Sequence, residues 1–394
     1  MNKSIVLALS VCLCSLSVIA QTNDIDKVLR EIEQNNKSLQ THAALIESKR
    51  LELKAGNNLP DPQATAYYLP FGTHTSGDYT EFQISQSFEF PSVYAVRKGL
   101  IEQQVEALKL EYAVLRQELL LPAKQHCLEL IYLNKKIAVE QLRVQQANQV
   151  FEQIRELFEK EQVGILELNK AKIAWMQEQF TIQQIENDKH NLLLLLQKLN
   201  GGNEVLFDQS SYSGSLNSYS LDSIWQDKKT NDPAVKILER KQEVALQQIK
   251  LSKNKALPNL TAGFNHQGVS GETFSGFYGG LSIPLWNNRN KIKAARSQYR
   301  YQQTFTDAYV LEIYSNFQKQ FNEYQLLLGK FKEYQSTLSG LHSDALLLEA
   351  YQLGEISFIE YYTELQFYRQ AFNTLLQMEK ELNQLIAELL KHQL

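Results

Sequence analysis

Leu59-Pro60-Asp61-Pro62-Gln63-Ala64 returns later in the chain as Leu257-Pro258-Asn259-Leu260-Thr261-Ala262. Phe90-Pro91 returns as Ile283-Pro284, and Gln162-Val163-Gly164-Ile165 as Gln352-Leu353-Gly354-Glu355. The offsets, 257 − 59 = 198, 283 − 90 = 193 and 352 − 162 = 190, describe one unit of about 190 residues that occurs twice in tandem. Each unit reads helix, proline, alternating strand, turn, alternating strand, proline, very long helix, glycine, helix. A short β-hairpin carried on helices far longer than a globular core needs is the plan of a conduit wall, not of an enzyme.

The strand at residues 80–90 alternates. Phe82, Ile84, Phe88 and Phe90 fall on one face, with Gln86 the exception, and Glu81, Gln83, Ser85, Ser87 and Glu89 fall on the other. A strand of this length also matches a tilted membrane-spanning strand, apolar toward lipid and polar toward a water-filled lumen. Its partner, residues 62–71, carries Tyr67 and Tyr68 toward the far end, where an aromatic belt belongs. In the second repeat Phe277, Leu281, Ile283 and Leu285 oppose Gly276, Tyr278, Gly280 and Ser282, and residues 259–267 pair with that strand. Four strands cannot span a bilayer as an open sheet, because the edge amides would face hydrocarbon unpaired. About 8 strands make the smallest closed barrel, and these are filled by their own side chains. A conduit therefore favours three copies over two.

The helices are expected at residues 24–56, 93–162, 165–200, 232–255, 288–352 and 356–391, with Pro122 the only proline inside the second. Along the fifth, Phe305, Tyr309, Ile313, Phe317, Phe321, Tyr324, Leu328, Phe331, Tyr334, Leu338 and Leu341 follow at steps of three or four, one helical face. The first and third helices together nearly match the second in length, as the fourth and sixth match the fifth. Each repeat is thus expected to pair one continuous rod with one built from two pieces stacked end to end. The domain reading is 1–20 signal peptide, 21–202 first repeat, 203–231 a polar linker with little regular structure, and 232–394 second repeat.

Lys3, the apolar run at residues 5–19 and Val18-Ile19-Ala20 before Gln21 have the form of a secretory signal peptide. Cys12 and Cys14 lie inside it, preceded by Val11 and Leu13 where a lipid-attachment site needs a small residue, so no acyl anchor is expected. Cys127 is then alone, and no internal disulfide can form. With a net charge of −4 and both signs interspersed along the helices, nucleic acid is not indicated as a partner. There is no Gly-rich phosphate loop, no Gly-x-Ser-x-Gly elbow and no Cys/His cluster, so the chain reads as a non-enzyme with no cofactor and no bound metal. His74 and His266 fall at the outer ends of the hairpins, and His126 stands beside Cys127; ordinary exposed or packed side chains are the simpler reading of each.

The duplicated plan, Leu59-Pro60-Asp61-Pro62, Ile84-Ser85-Gln86-Ser87-Phe88-Glu89-Phe90-Pro91 and the two glycine hairpins resemble the TolC-like outer-membrane factor family over essentially the whole mature chain. That resemblance implies a homotrimer with a 12-stranded outer-membrane β-barrel continuing into an α-helical periplasmic tunnel. It also implies passive export, driven by an inner-membrane resistance-nodulation-division pump or ABC transporter through a periplasmic membrane-fusion adaptor. The short length and the 86–91 stretch look most like the heavy-metal efflux branch. Val163, Gly164, Ile165, Leu353, Gly354 and Glu355 match the family's adaptor-docking tips, although Glu355 departs from the smaller or neutral residue expected there. An acidic residue six positions after the second tip glycine corresponds to Glu360, at the periplasmic gate. The family's second acid is replaced by Thr363, which implies a gate that is either weaker or narrowed by Tyr361 and Tyr362 instead. A type I protein secretion duct is an alternative of the same architecture. A periplasmic adaptor would show one helical hairpin between β-rich domains, and a structural coiled coil would lack the strands.

Overall fold

The computed structural model describes residues 24–394 apart from 74–76, 215, 217, 218, 270, 287, 341 and 342, and gives the backbone alone for 343–345. The signal-peptide segment with Cys12 and Cys14, His74 and His342 lie outside the described residues.

The first repeat comprises α1 (Asp24–Asn35), α2 (Lys37–Ala55), β1 (Gln63–Leu69), β2 (Tyr79–Phe88), α3 (Pro91–Glu159) and α4 (Ile165–Leu199). The second comprises α5 (Leu221–Asn231), α6 (Pro233–Asn254), β3 (Asn259–Val269), β4 (Glu272–Ser282), α7 (Lys291–Ser339), α8 (Ser343–Gln352) and α9 (Phe358–Leu389), followed by a 3-10 turn, Lys391–Gln393. The 69 residues of α3 make a rod about 100 Å long. Pro91 starts it, since proline's fixed φ suits the first helical turn and its missing N–H is not needed there. The helix continues through Pro122, whose neighbours Leu120 and Ala123 are clamped in the core.

The four strands form one antiparallel sheet in the order β1-β2-β3-β4. Two hairpins, one from each repeat, are thus joined by the pairing of β2 with β3, in which Phe82 lies opposite His266 and Ile84 opposite Phe264. Below the sheet α2 packs on α3, α3 on α6 and α6 on α7; toward the far end α4 packs on α3, α3 on α9, and α9 on α7 and α8.

Three boundaries differ from the sequence reading. The first helix is two helices, broken at Asn36. The buried Asn36 carboxamide oxygen accepts from Ser38 N at 2.9 Å and Leu39 N at 3.1 Å, and its Nδ2 donates to Leu199 O at 2.7 Å. One side chain therefore caps the start of α2 and the end of α4, which joins these two as the stacked rod. α1 lies beside that joint, with Ile25, Val28, Leu29 and Ile32 packed among Leu120, Ile131 and Leu196. Second, the polar linker contains α5, whose Ile224 and Trp225 pack on Phe317, Tyr324 and Tyr314 of α7. Third, the fifth helix ends at Ser339 with Gly340 as its cap, and α8 is a separate piece.

Candidate channel wall and docking tips

Paired residues in an antiparallel sheet share a face, so the register sorts the side chains. One face carries Ala64, Ala66, Phe82, Ile84, Phe88, Leu260, Ala262, Phe264, Phe277 and Leu281. Phe82 at 42%, Ile84 at 44%, Leu281 at 69% and Phe277 at 91% are exposed in the single chain, while Phe88, Leu260 and Phe264 are half-buried. The opposite face carries Glu81, Gln83, Ser85, Ser87, Thr261, Asn265, Gln267 and Tyr278. The Glu81 carboxylate accepts from Tyr79 OH at 2.7 Å and Asn265 Nδ2 at 2.8 Å, and Gln83 donates to Tyr278 OH. Gly263 is needed opposite Tyr278, because a Cβ there would run into the phenol ring.

Gln86, the exception in the alternation, does fall on the apolar face, at the helix end of the sheet, where its Nε2 donates to Pro60 O at 2.6 Å. Glu89, Phe90 and Ile283 lie one or two residues past the ends of their strands. Phe90 is the residue capping α3, and Glu89 is ion-paired with Arg97 of α3, so neither belongs to the ladder. His266 pairs its Nδ1 with Ser275 Oγ at 2.7 Å on the apolar face.

At the opposite end the two helical turns lie side by side around a groove of about 610 Å³, lined by Val163, Gln153, Tyr351, Leu353, Gly354 and Phe358 among others. Their backbones match each other three residues away from the sequence alignment. Glu161 (φ 58°) and Gly354 (φ 73°) are the left-handed residues that end α3 and α8. Gln162 N donates to Leu157 O at 2.9 Å and Glu355 N to Ala350 O at 3.0 Å, the same helix-terminating bond. Gly164 and Ser357 are then the equivalent caps of α4 and α9. The structural offset is 354 − 161 = 193, the value found for Phe90-Pro91 and Ile283-Pro284. A glycine between two antiparallel helices suggests a left-handed turn, but Gly164 makes none: its φ is −85°, and a Cβ there would meet open space. Gly354 does serve that purpose. Ile165 and Leu353 are exposed at the tips, Glu355 is solvent-facing, and Val163 is half-buried.

Glu360 is the third residue of α9 and closes a capping box. Its Oε2 accepts from Ser357 N at 2.8 Å, and Glu360 N donates to Ser357 Oγ at 3.3 Å. The Ser357 backbone N–H and hydroxyl hold the Glu360 carboxyl below its ordinary pKa. Its counterpart at the first tip is Glu167, also in the first turn of its helix. Glu360, Thr363, Glu364 and Phe367 form one exposed stripe. Tyr361 does not line a mouth in the single chain: it is 4% exposed and stacks on Tyr351 at 5.2 Å in the core that joins the two tips. Tyr362 is half-buried, stacked on Phe358.

Sequence reasoning missed a buried ionic cluster higher in the helical part. Arg369 Nη1 of α9 meets Glu178 Oε1 of α4 at 2.5 Å. Beside it Arg143 Nη1 of α3 donates to Glu140 Oε1 at 2.7 Å and to Asn373 Oδ1 of α9 at 3.2 Å. Burial lowers the Arg143 pKa, the Glu140 carboxylate opposes that, and the Arg369 guanidinium adds to it. These four charges line a cleft of about 610 Å³ with Met176, Phe180 and Tyr362. Nothing in the spacing of Glu178 and Arg369 along the chain could have paired them.

Among the described residues no helix is long and apolar enough to cross a membrane, and no three His, Cys, Asp or Glu side chains cluster as metal ligands. No protein family and no curated protein matches the chain at the sequence level. Solved structures do. The outer membrane channel CmeC of Campylobacter jejuni is 14% identical with a TM-score of 0.73, over 94% of this chain and 85% of that one. CusC, described in connection with transmembrane channel formation, is 14% identical with a TM-score of 0.72, over 93% and 91%. The outer membrane protein VceC of Vibrio cholerae is 12% identical with a TM-score of 0.72, over 93% and 95%. With the joined hairpins, the long helices and the paired tips laid out in one order, the chain has the fold of the TolC-like outer-membrane factors.

Proposed function

We propose that this chain is the outer-membrane channel subunit of an export system, a passive duct closed from three copies. The observation that carries the reading is that the sheet and the helical layer are open on the same two sides. β1 and β4 bound the sheet, and the helices attached to them, α2 on one side and α7 on the other, flank the row below. A head-to-tail ring joins the β4 edge of each copy to the β1 edge of the next and pairs every strand amide that lipid would otherwise leave unsatisfied. Three copies of 4 strands give 3 × 4 = 12, wide enough for a water path, with Glu81, Gln83, Ser85 and Ser87 toward the lumen and Phe82, Ile84, Phe88, Phe277 and Leu281 toward lipid.

The helices then extend into the periplasm, and the exposed apolar tips Ile165 and Leu353 meet a periplasmic adaptor. An inner-membrane pump of the resistance-nodulation-division or ABC class supplies the energy. Cargo in the heavy-metal class is the finer reading, supported by the resemblance of the 86–91 stretch.

The test is a membrane fraction and a set of cysteine variants. A heat-modifiable trimer should appear in the outer membrane. Cysteines replacing Phe82 and Ile84 should react with lipid-phase probes, and those replacing Gln83 and Ser85 with water-soluble ones. A stable monomer after mild extraction, or the inverse labelling pattern, overturns the reading.

A further inference from the structure

The apolar face of β4 does not end with the strand. After Phe277 and Leu281 come Ile283, Leu285 and Trp286, all exposed, Trp286 by 80%. Leu285 N donates to Ile283 O at 3.0 Å and Arg289 N to Trp286 O at 3.1 Å, a tight bend that leads into α7. The chemistry then inverts. Arg289, Lys293, Arg296 and Arg300 are exposed, and their side chains have no carboxylate partner among the described residues. Spacings of three and four place Lys293, Arg296 and Arg300 along one face of α7, and Arg289 stands just before the helix cap Asn290. No acidic residue occurs between Glu272 and Asp307, in a chain whose charges are otherwise interspersed.

The first repeat lacks this feature. At the matching junction Arg97 is neutralised by Glu89, and Glu102 follows in the next turn. The positive stripe is therefore particular to the junction of β4 with α7, once per chain.

Tryptophan beside a row of basic residues suits a membrane boundary, where indole sits at headgroup level and long cationic side chains reach phosphates. From Lys293 to Arg296 the helix rises only about 5 Å, comparable to the roughly 5–7 Å depth of one headgroup layer. Guanidinium groups bind phosphate oxygens through two parallel hydrogen bonds, and a row of uncompensated cations favours a headgroup whose phosphate charge is not balanced by its own ammonium or choline. We propose that the β4–α7 junction is a binding site for an anionic phospholipid, with Ile283, Leu285 and Trp286 at the acyl boundary and Arg289, Lys293 and Arg296 on the phosphate and headgroup. This rests on the reading of the strands as membrane-spanning. The site faces the leaflet on the helical side of the sheet.

The experiment uses the full chain reconstituted in phosphatidylethanolamine vesicles containing an equal fraction of either brominated phosphatidylglycerol or brominated phosphatidylcholine. Trp286 emission is read as the difference between the protein and its Trp286→Phe variant. Both lipids should quench it, the glycerol lipid at least twofold more strongly, and that preference should vanish in the Arg289→Gln/Lys293→Gln/Arg296→Gln variant. Equal quenching by the two lipids, or a preference that survives the triple substitution, overturns the site. So does an unquenched Trp286 when a Phe277→Trp variant is quenched, since a second copy would then cover the junction. If Phe277→Trp is also unquenched, the membrane-spanning reading falls and takes this site with it.

Discussion

Cys127 shows how much a single position depends on its surroundings. It is fully buried between α1 and α3 beside Ile131 and Ala123, and burial pushes its thiol pKa up to about 12. Since the thiolate is the nucleophile, the folded protein should resist maleimide at pH 8 and label within minutes only once unfolded. Labelling against denaturant concentration therefore reports unfolding of this helical core; rapid labelling of the native protein would show that this core is not closed. His126, next in sequence, has its pKa lowered by burial, against the pull of Glu129.

At the scale of elements, two features hold the helical hairpins together. The Arg369–Glu178 bridge ties α9 of the second repeat to α4 of the first. Removing one partner of a buried pair strands the other charge, so Arg369→Met should cost about 3–5 kcal/mol in unfolding free energy. The double variant Arg369→Met/Glu178→Met should recover much of that loss, and a denaturant titration of all three proteins checks it. Additive losses would mean that the pair is not coupled. The tips make a second contrast. Gly164 has ordinary backbone angles and open space around it, so Gly164→Trp should leave trimer abundance intact while abolishing export through loss of adaptor docking. Gly354 sits at φ 73°, where a β-branched side chain is strained, so Gly354→Val should lower stability by about 1–2 kcal/mol whatever the adaptor does. Export assays paired with thermal melts separate the two effects. Unchanged export by Gly164→Trp would remove that position from docking.

In the trimer proposed above, Glu360 would stand at the inner mouth. Three symmetry-related carboxylates near one axis would concentrate negative potential and favour cations. Its hydrogen bonds to Ser357 mean that Glu360→Ala would also remove a helix cap, confusing charge with structure. Glu360→Gln keeps a capping-box residue and removes only the charge. In a planar bilayer the trimer carrying Glu360→Gln should show reduced cation preference and weaker block by multivalent cations from the periplasmic side. Identical selectivity and block would leave Glu360 with its structural role alone.

Much of this architecture is written locally. The alternation through Phe82, Gln83, Ile84 and Ser85, Pro91 at the start of α3 and the long three-four spacing of α7 are short-range signals, so the sequence by itself determined the hairpins, the rods and their duplication. The tandem repeat also carried the approximate position of both tips. Tertiary structure decided what depends on residues distant in sequence. Asn36 breaks a continuous helical pattern because Leu199, from another helix, offers it a carbonyl. The polar 221–231 segment becomes helical because Trp225 finds Tyr314 and Phe317. Glu178 and Arg369, 191 residues apart, meet only when the two repeats pack. The tip register moved by three because a left-handed residue need not be glycine: Glu161 takes that conformation on an exposed turn, which left Gly164 free to look like its counterpart without being it. Periodicity and punctuation are properties of neighbours along the chain and can be read from it; caps, buried charge pairs and register are set by which groups remain to be satisfied once the helices are side by side.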